Sequence, residues 1–219
     1  MDHESFEHEF NIVKKKYKVI LDTDLSAEGL EEVCTRYKKI YKKHVGKIFP
    51  QDPYLQLNLA VEAVFRSWNT HRAKSYRQIN DITGLRGTAV NVQAMVFGNT
   101  GPASGSGVAF TRDPASGEKV FYGEFLMNAQ GEDVVAGIRT PQYLTRARRE
   151  AAGADKPSME EAMPEAFAEL ARVFDLLEKH YKDMQDIEFT VERGKLYILQ
   201  TRTAKRTALA AVRIAVEFV

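Results

Sequence analysis

Between Ser26 and Ile48 the apolar residues Leu30, Val33, Cys34, Tyr37, Ile40, Tyr41 and Ile48 recur at steps of three and four, which aligns them along one helix face. Pro50 is read as the stop. Asp52-Pro53 starts a second helix, because aspartate accepts from free first-turn amides and proline suits the first helical position. This helix is expected to run to about Arg72, with Leu57, Val61, Val64, Phe65 and Trp68 as its inward stripe. After Gly84 the period shortens to two. Thr88 to Phe97 alternates and is rich in β-branched residues, while Gly98 to Gly107 sustains no regular element. Val108 to Arg112 is therefore expected to return as the second strand of a hairpin.

Asp113 to Gly117 reads as a turn and Lys119 to Leu126 as a further strand. Asn128 to Asp133 reads as a polar loop, Val134 to Gly137 as a short extended piece, and Ala147 to Pro157 as a solvated connection. Ser158 and Glu161 have capping-box spacing, and the helix they introduce carries Phe167, Leu170, Phe174, Leu177 and Tyr181 on one side. Two strands follow, Gln185 to Thr190 and a second ending at Leu199-Gln200-Thr201-Arg202. A last helix, from Thr207 to Val219, bears Leu209, Val212, Ile214, Val216 and Phe218 and meets no stop signal, so the chain is read as a piece of a longer one. The pattern predicts an α+β protein, with a helical part over 1–72 and a mainly antiparallel sheet part over 73–219.

Composition narrows the partners. The 31 basic and 30 acidic residues of the 219 nearly cancel, so no whole-chain field points to nucleic acid or an anionic membrane, and any anion site must be local. A competing reading makes Arg36, Lys38, Lys39, Lys42, Lys43 and Lys47 a phosphate-tracking stripe; it predicts strongly salt-dependent association, whereas a solvated helix face does not. The single cysteine, Cys34, excludes an internal disulfide and is read as a packing residue. No apolar run reaches the roughly 18 residues of a membrane span. The first residues, MDHESFEHEF, are too acidic for a signal peptide. A cytoplasmic protein is expected, or an organellar one if a targeting segment precedes this piece.

The chemistry concentrates in the strands around Val191-Glu192-Arg193-Gly194-Lys195. A three-residue loop with glycine at its positive-φ position pairs Glu188 with Ile198 and Asp186 with Gln200, leaving Asp186, Glu188, Gln200 and Arg202 on one face. A two-residue loop puts Glu188 and Gln200 on opposite faces. On the first register a carboxylate and an amide carbonyl converge as hard oxygen ligands for Mg²⁺, and Arg202 can fork onto a phosphate oxygen. Spacing alone leaves an ordinary charged surface hairpin as the alternative. The glycine-rich 98–107 segment lacks the lysine of a P-loop and reads as a hairpin tip. Thr111, Arg112 and Asp113 are candidates for a supporting role, and Asn128 and Gln130 are either loop contacts or turn-formers.

Several long motifs stand in one order: Gly87-Thr88-Ala89-Val90-Asn91-Val92-Gln93, Ser106 to Pro114 (SGVAFTRDP), Gly123-Glu124-Phe125, Asn128 to Pro141 (NAQGEDVVAGIRTP), Asp183 to Thr190 (DMQDIEFT) and Leu199-Gln200-Thr201-Arg202. Through these the chain, from about Tyr37 onward, resembles the nucleotide-binding part of the pyruvate phosphate dikinase family, in the ATP-grasp group. The resemblance implies the carboxylate-bearing half of an ATP-grasp domain. It implies Glu188 and Gln200 as metal ligands, Arg202 as the catalytic contact to the transferring phosphoryl group, Asp186 as its support and Gln93 as a nucleotide contact. It further implies Mg²⁺ with ATP and phosphate as substrates, and a reaction that phosphorylates a carrier histidine and turns pyruvate into phosphoenolpyruvate with AMP and diphosphate. The phosphohistidine carrier domain and the barrel domain of the parent chain are the implied partners, with no nucleic acid and no membrane. None of the five histidines here lies in a carrier motif, and the earlier half of the nucleotide clamp is missing, so this piece alone is expected to be inactive. Phosphoenolpyruvate synthase or a related phosphotransferase is the nearest alternative; a non-catalytic binding or folding module is the alternative of another class.

Overall fold

The computed structural model describes residues 3–137 and 139–218, without the side chains of Thr23 and Val135. Ile138 of the NAQGEDVVAGIRTP motif and the terminal Val219 lie outside the described residues. Contacts divide the chain into two units, 1–92 and 93–219; a division at about residue 72 would fall at the start of a helix that belongs wholly to the first unit.

The first unit holds α1 (His3–Tyr17), a 3-10 turn (Asp22–Asp24), α2 (Ala27–Val45), α3 (Pro53–Ser67) and α4 (His71–Ile79). Each of the last three starts at a side-chain cap: Ser26 Oγ accepts from Gly29 N at 3.2 Å, Asp52 from Tyr54 N at 2.9 Å, and Thr70 Oγ1 from Ala73 N at 3.3 Å. Gly46, in the left-handed region at φ 74°, ends α2 ahead of Pro50. The second predicted helix proves to be two, because Thr70 caps a new start before Arg72. Val13, Leu25 and Val33 close a small core between α1 and α2, and Arg36 is held by Glu9 and Glu32 at 2.6 and 2.9 Å, which neutralises part of the basic stripe. Cys34 is exposed rather than packed, since Val33 and Tyr37 take the inward arc. The stripe expected on α3 is not inward either: α3 buries none of its residues, and Leu57, Val64 and Phe65 are exposed. Periodicity reports an apolar face, not a partner for it. Trp68 stacks on the Arg77 guanidinium, 3.7 Å from ring centroid to carbon.

The second unit runs β1 (Gly105–Phe110), β2 (Tyr122–Met127), α5 (Gly131–Ala136), β3 (Gln142–Tyr143), α6 (Arg146–Ala151), α7 (Met159–Ala162), α8 (Pro164–Tyr181), β4 (Gln185–Glu192), β5 (Lys195–Thr203) and α9 (Ala208–Glu217). Its five strands pair antiparallel throughout, in the order β3-β2-β1-β4-β5. The α+β class with an antiparallel sheet is as expected. On the inner face Ala109, Phe125, Ile187, Phe189 and Val191 pack against Ala166, Leu170 and Phe174 of α8. A Cβ at Gly107 would lie 2.5 Å from the Phe189 ring, so glycine there admits the aromatic side chain. A second core joins Ala210 and Ile214 of α9 to Met184 and Ala204. Beside it buried Arg112 donates to Glu178 at 2.9 Å and also reaches Glu217, tying α8 to α9.

Three expectations fail here. Thr88 to Phe97 forms no strand, because β1, its intended partner, is flanked by β2 and β4 and has no free edge. The Val134 to Gly137 piece is helical: the Asp133 carboxylate accepts from Gln130 N at 2.8 Å, nucleating α5, and Gly137 at φ 66° terminates it. The solvated connection after Ala147 contains α6, capped by Thr145 and held to Glu161 through Arg149 at 3.2 Å. The Ser158–Glu161 capping pair is present but starts only the short α7; the helix that carries Phe167, Leu170, Phe174, Leu177 and Tyr181 is α8, which starts separately at Pro164 after the chain leaves helical geometry at Met163.

Candidate functional site on the outer face of the hairpin

The hairpin closes through a two-residue turn, Arg193-Gly194, with Glu192 opposite Lys195. Both turn residues are left-handed, at φ 51° and 84°, which matches the right-handed twist of the strands. This is not the three-residue loop predicted, and Phe189 rather than Glu188 faces Ile198. Continued without interruption, that register would separate Glu188 from Gln200. It is interrupted: the pairing shifts between Glu188 and Phe189, leaving Leu199 as an extra residue on β5. Beyond the bulge Glu188 faces Gln200, Ile187 faces Thr201 and Asp186 faces Arg202. Directly opposed residues share a face, so the four candidate side chains stand together by a different route from the one expected.

On that face Arg202 Nε donates to Asp186 Oδ2 at 2.8 Å, and its Nη2 lies 3.7 Å from Glu188 Oε1. The hydrogen bond to Asp186, then the Asp186 charge, hold the Arg202 guanidinium more firmly protonated than an ordinary arginine. Asp186 is largely covered, whereas Arg202 and Glu188 keep side-chain exposures of 57% and 41%, so the guanidinium and one carboxylate stay accessible to a ligand. Among the described residues no three His, Cys, Asp or Glu side chains gather as a metal cage. A pair of hard oxygens from Glu188 and Gln200 suits an ion that keeps waters and shares phosphate oxygens, as Mg²⁺ does.

Two cavities of about 530 Å³ each lie over this side of the sheet. Gln93, Met95, Val96, Gln130 and Thr190 line one; Val108, Glu188, Val134 and Ala136 line the other; Gly131, Glu132 and Leu199 border both. Gln93 therefore lies in the cavity next to that of Glu188. Leu199 and Glu132, which border both cavities, are among the lining residues that the sequence does not single out. Leu199 has no legible signal, because a bulge is a property of two strands together. Thr190 is buried and shares a 2.9 Å hydrogen bond with Ser106.

The remaining candidates are structural. Thr111 exchanges hydrogen bonds with Gln185, both at 3.0 Å. Arg112 belongs to the buried ion cluster, and Asp113 accepts from Ala115 and Ser116 N to form its turn. Asn128 and Gln130 accept from glycine amides of the 98–104 loop, which is no hairpin tip because no strand enters it.

The chain is 58% identical over 99% of its length to the pyruvate, phosphate dikinase of Rhizobium meliloti (strain 1021), 54% to chloroplastic pyruvate, phosphate dikinase 1 of Arabidopsis thaliana, and 55% to pyruvate, phosphate dikinase 2 of Zea mays. It spans 24%, 21% and 23% of those relatives, about a quarter of their length or less. The family model described as pyruvate phosphate dikinase, AMP/ATP-binding domain, matches residues 10–166 and 150–218. With that model covering nearly all of the sequence, the chain belongs to the pyruvate phosphate dikinase AMP/ATP-binding domain family.

Proposed function

We propose that the outer face of the β4–β5 hairpin is half of the Mg-ATP site of a pyruvate phosphate dikinase of the ATP-grasp group. The observation that carries this reading is the bulge-restored pairing of Glu188 with Gln200 beside Arg202 and Asp186. Glu188 and Gln200 hold Mg²⁺, which when bound neutralises charge on the phosphate oxygens. Arg202 contacts the transferring phosphoryl group, Asp186 fixes the orientation of that guanidinium, and Gln93 contacts the nucleotide in the adjoining cavity. The parent enzyme phosphorylates a histidine on a carrier domain, using ATP and phosphate, and the carrier delivers the group to pyruvate in a barrel domain. Among the described residues no helix is long and apolar enough to cross a membrane. We assign the parent to the cytoplasm, with an organelle as the alternative that the Arabidopsis relative's name supports.

Calorimetric titration of the 219-residue chain with Mg-ATP, wild type against Glu188→Ala, tests the reading. Metal-dependent heat that the substitution abolishes supports it; equal binding by both chains overturns the metal assignment. The short span relative to the relatives favours a second reading, in which this piece alone is an inert module because the other side of the clamp supplies much of the affinity. Absence of binding by either chain supports that one.

A further inference from the structure

The Gln93 to Val96 strip lines the nucleotide cavity yet lies outside every strand, and Met95 is 74% exposed. Something other than a ladder must fix its path. The loop that follows is pinned on two sides. On one, Gln130 Oε1 accepts from Gly98 N at 3.2 Å, Asn128 Oδ1 accepts from Gly101 N at 3.0 Å, Ala129 N donates to Gly98 O at 2.9 Å and Asn128 N donates to Ser104 O at 2.7 Å. On the other, the hairpin turn contributes Gly194 N to Ala103 O at 2.7 Å and Arg193 N to Ser104 Oγ at 2.9 Å. Gly98 itself is buried, and a Cβ there would fall 2.2 Å from Ala129 O and 2.3 Å from Ser106 Oγ. Asn128 adopts φ 48°, a left-handed conformation that asparagine tolerates and that accompanies its hydrogen bond to Gly101.

We infer that Gln130 and Asn128 are positioning residues for the nucleotide cavity: their side-chain oxygens clasp the 98–104 loop and so set where the Gln93 to Val96 strip lies over Thr190 and Leu199. The inference rests on the nucleotide reading of that cavity for its function, and on the clasp geometry alone for its structure. Gln130→Met removes the acceptor at nearly constant size, Gln130→Glu keeps an acceptor oxygen, and Asn128→Gly keeps access to the left-handed conformation without the side chain.

Amide exchange followed by NMR on the 219-residue chain, with Mg-ATP titration in parallel, tests it. Gln130→Met is expected to quicken exchange at Gly98 about tenfold while Phe189 N, in the sheet, stays at its wild-type rate, and Asn128→Gly to do the same at Gly101. A merely structural loss would quicken Phe189 as well and overturn the inference. Mg-ATP affinity is expected to fall about fivefold in both variants, the scale of one lost hydrogen bond, and to recover in Gln130→Glu. Wild-type exchange at Gly98 in Gln130→Met, or unchanged affinity in both variants of a chain that binds, overturns it. If the wild type binds no Mg-ATP, this piece alone is the inert module of the second reading, and the exchange pattern alone decides for or against the clasp.

Discussion

The two faces of the five-stranded sheet differ in what fills them. The inner face is packed so closely that Gly107 has no room for a methyl group beneath Phe189, and Phe125, Leu170 and Phe189 are each about 1% exposed. The outer face carries Asp186, Glu188, Gln200 and Arg202, of which Glu188 lines a cavity of about 530 Å³. Strand alternation produces both from one sequence, since Ile187, Phe189 and Val191 point one way and Asp186, Glu188 and Thr190 the other. The contrast separates labour: burial on one side stabilises the hairpin, and that rigidity lets charged groups on the other stand close together without a core of their own.

The sharpest break of this contrast is Phe189→Ala, which should lower unfolding stability by about 3–5 kcal/mol through lost transfer free energy and a residual cavity. A urea midpoint within 1 M or so of wild type would show instead that the inner face is loosely packed. Next comes Glu178→Ala. It leaves Arg112, with a 5% exposed side chain, short of its best-buried partner and should cost about 3 kcal/mol. Replacing both residues by apolar ones should recover most of that loss, which a double-mutant cycle would read. On the outer face Glu188→Ala should change stability by no more than about 0.5–1 kcal/mol, because the contact it removes is a half-exposed ion pair. A larger loss would mean the outer face also carries the fold.

The smallest effect concerns acid. Hydrogen bonds from Arg112 and then Arg213 hold the Glu217 carboxyl below its ordinary value. A group depressed in the folded state contributes stability above its unfolded pKa, and that contribution disappears as pH falls through the lower folded value. Wild type should thus lose more stability than Glu217→Gln on going from about pH 6 to below the usual carboxylate value near 4.3. Parallel pH profiles for the two chains would remove Glu217 from the account.

Legibility in the sequence followed whether a signal was local. Ser26, Asp52 and Thr207 mark helix starts by side-chain chemistry within one turn and are legible as such; Ser158 marks only the short α7 ahead of Pro164, and Thr70 is hidden inside a helical pattern. The β4 and β5 strands were read from alternation and do pair. Thr88 to Phe97 alternates as well as they do, yet a strand needs a free neighbouring edge, and which edges are free is settled by the whole sheet. The candidate residues Asp186, Glu188, Gln200 and Arg202 are legible as a group that shares one face, although the loop length is not. Leu199 and the clasp at Asn128 and Gln130 depend on segments brought together from distant parts of the chain, and no local pattern announces them.

Nearest the turn, paired residues on β4 and β5 have numbers whose sum is odd, as in Phe189 with Ile198; past Leu199 the sum is even, as in Glu188 with Gln200. A three-residue turn without a bulge reaches the same even parity. Turn length and bulge are therefore interchangeable for the stretch between Glu188 and Gln200: four residues pair on each strand, and the three left over divide as a two-residue turn with one bulge residue or as one three-residue turn, so deleting Leu199 while inserting one residue at Arg193-Gly194 exchanges the first arrangement for the second with Glu188 still opposite Gln200.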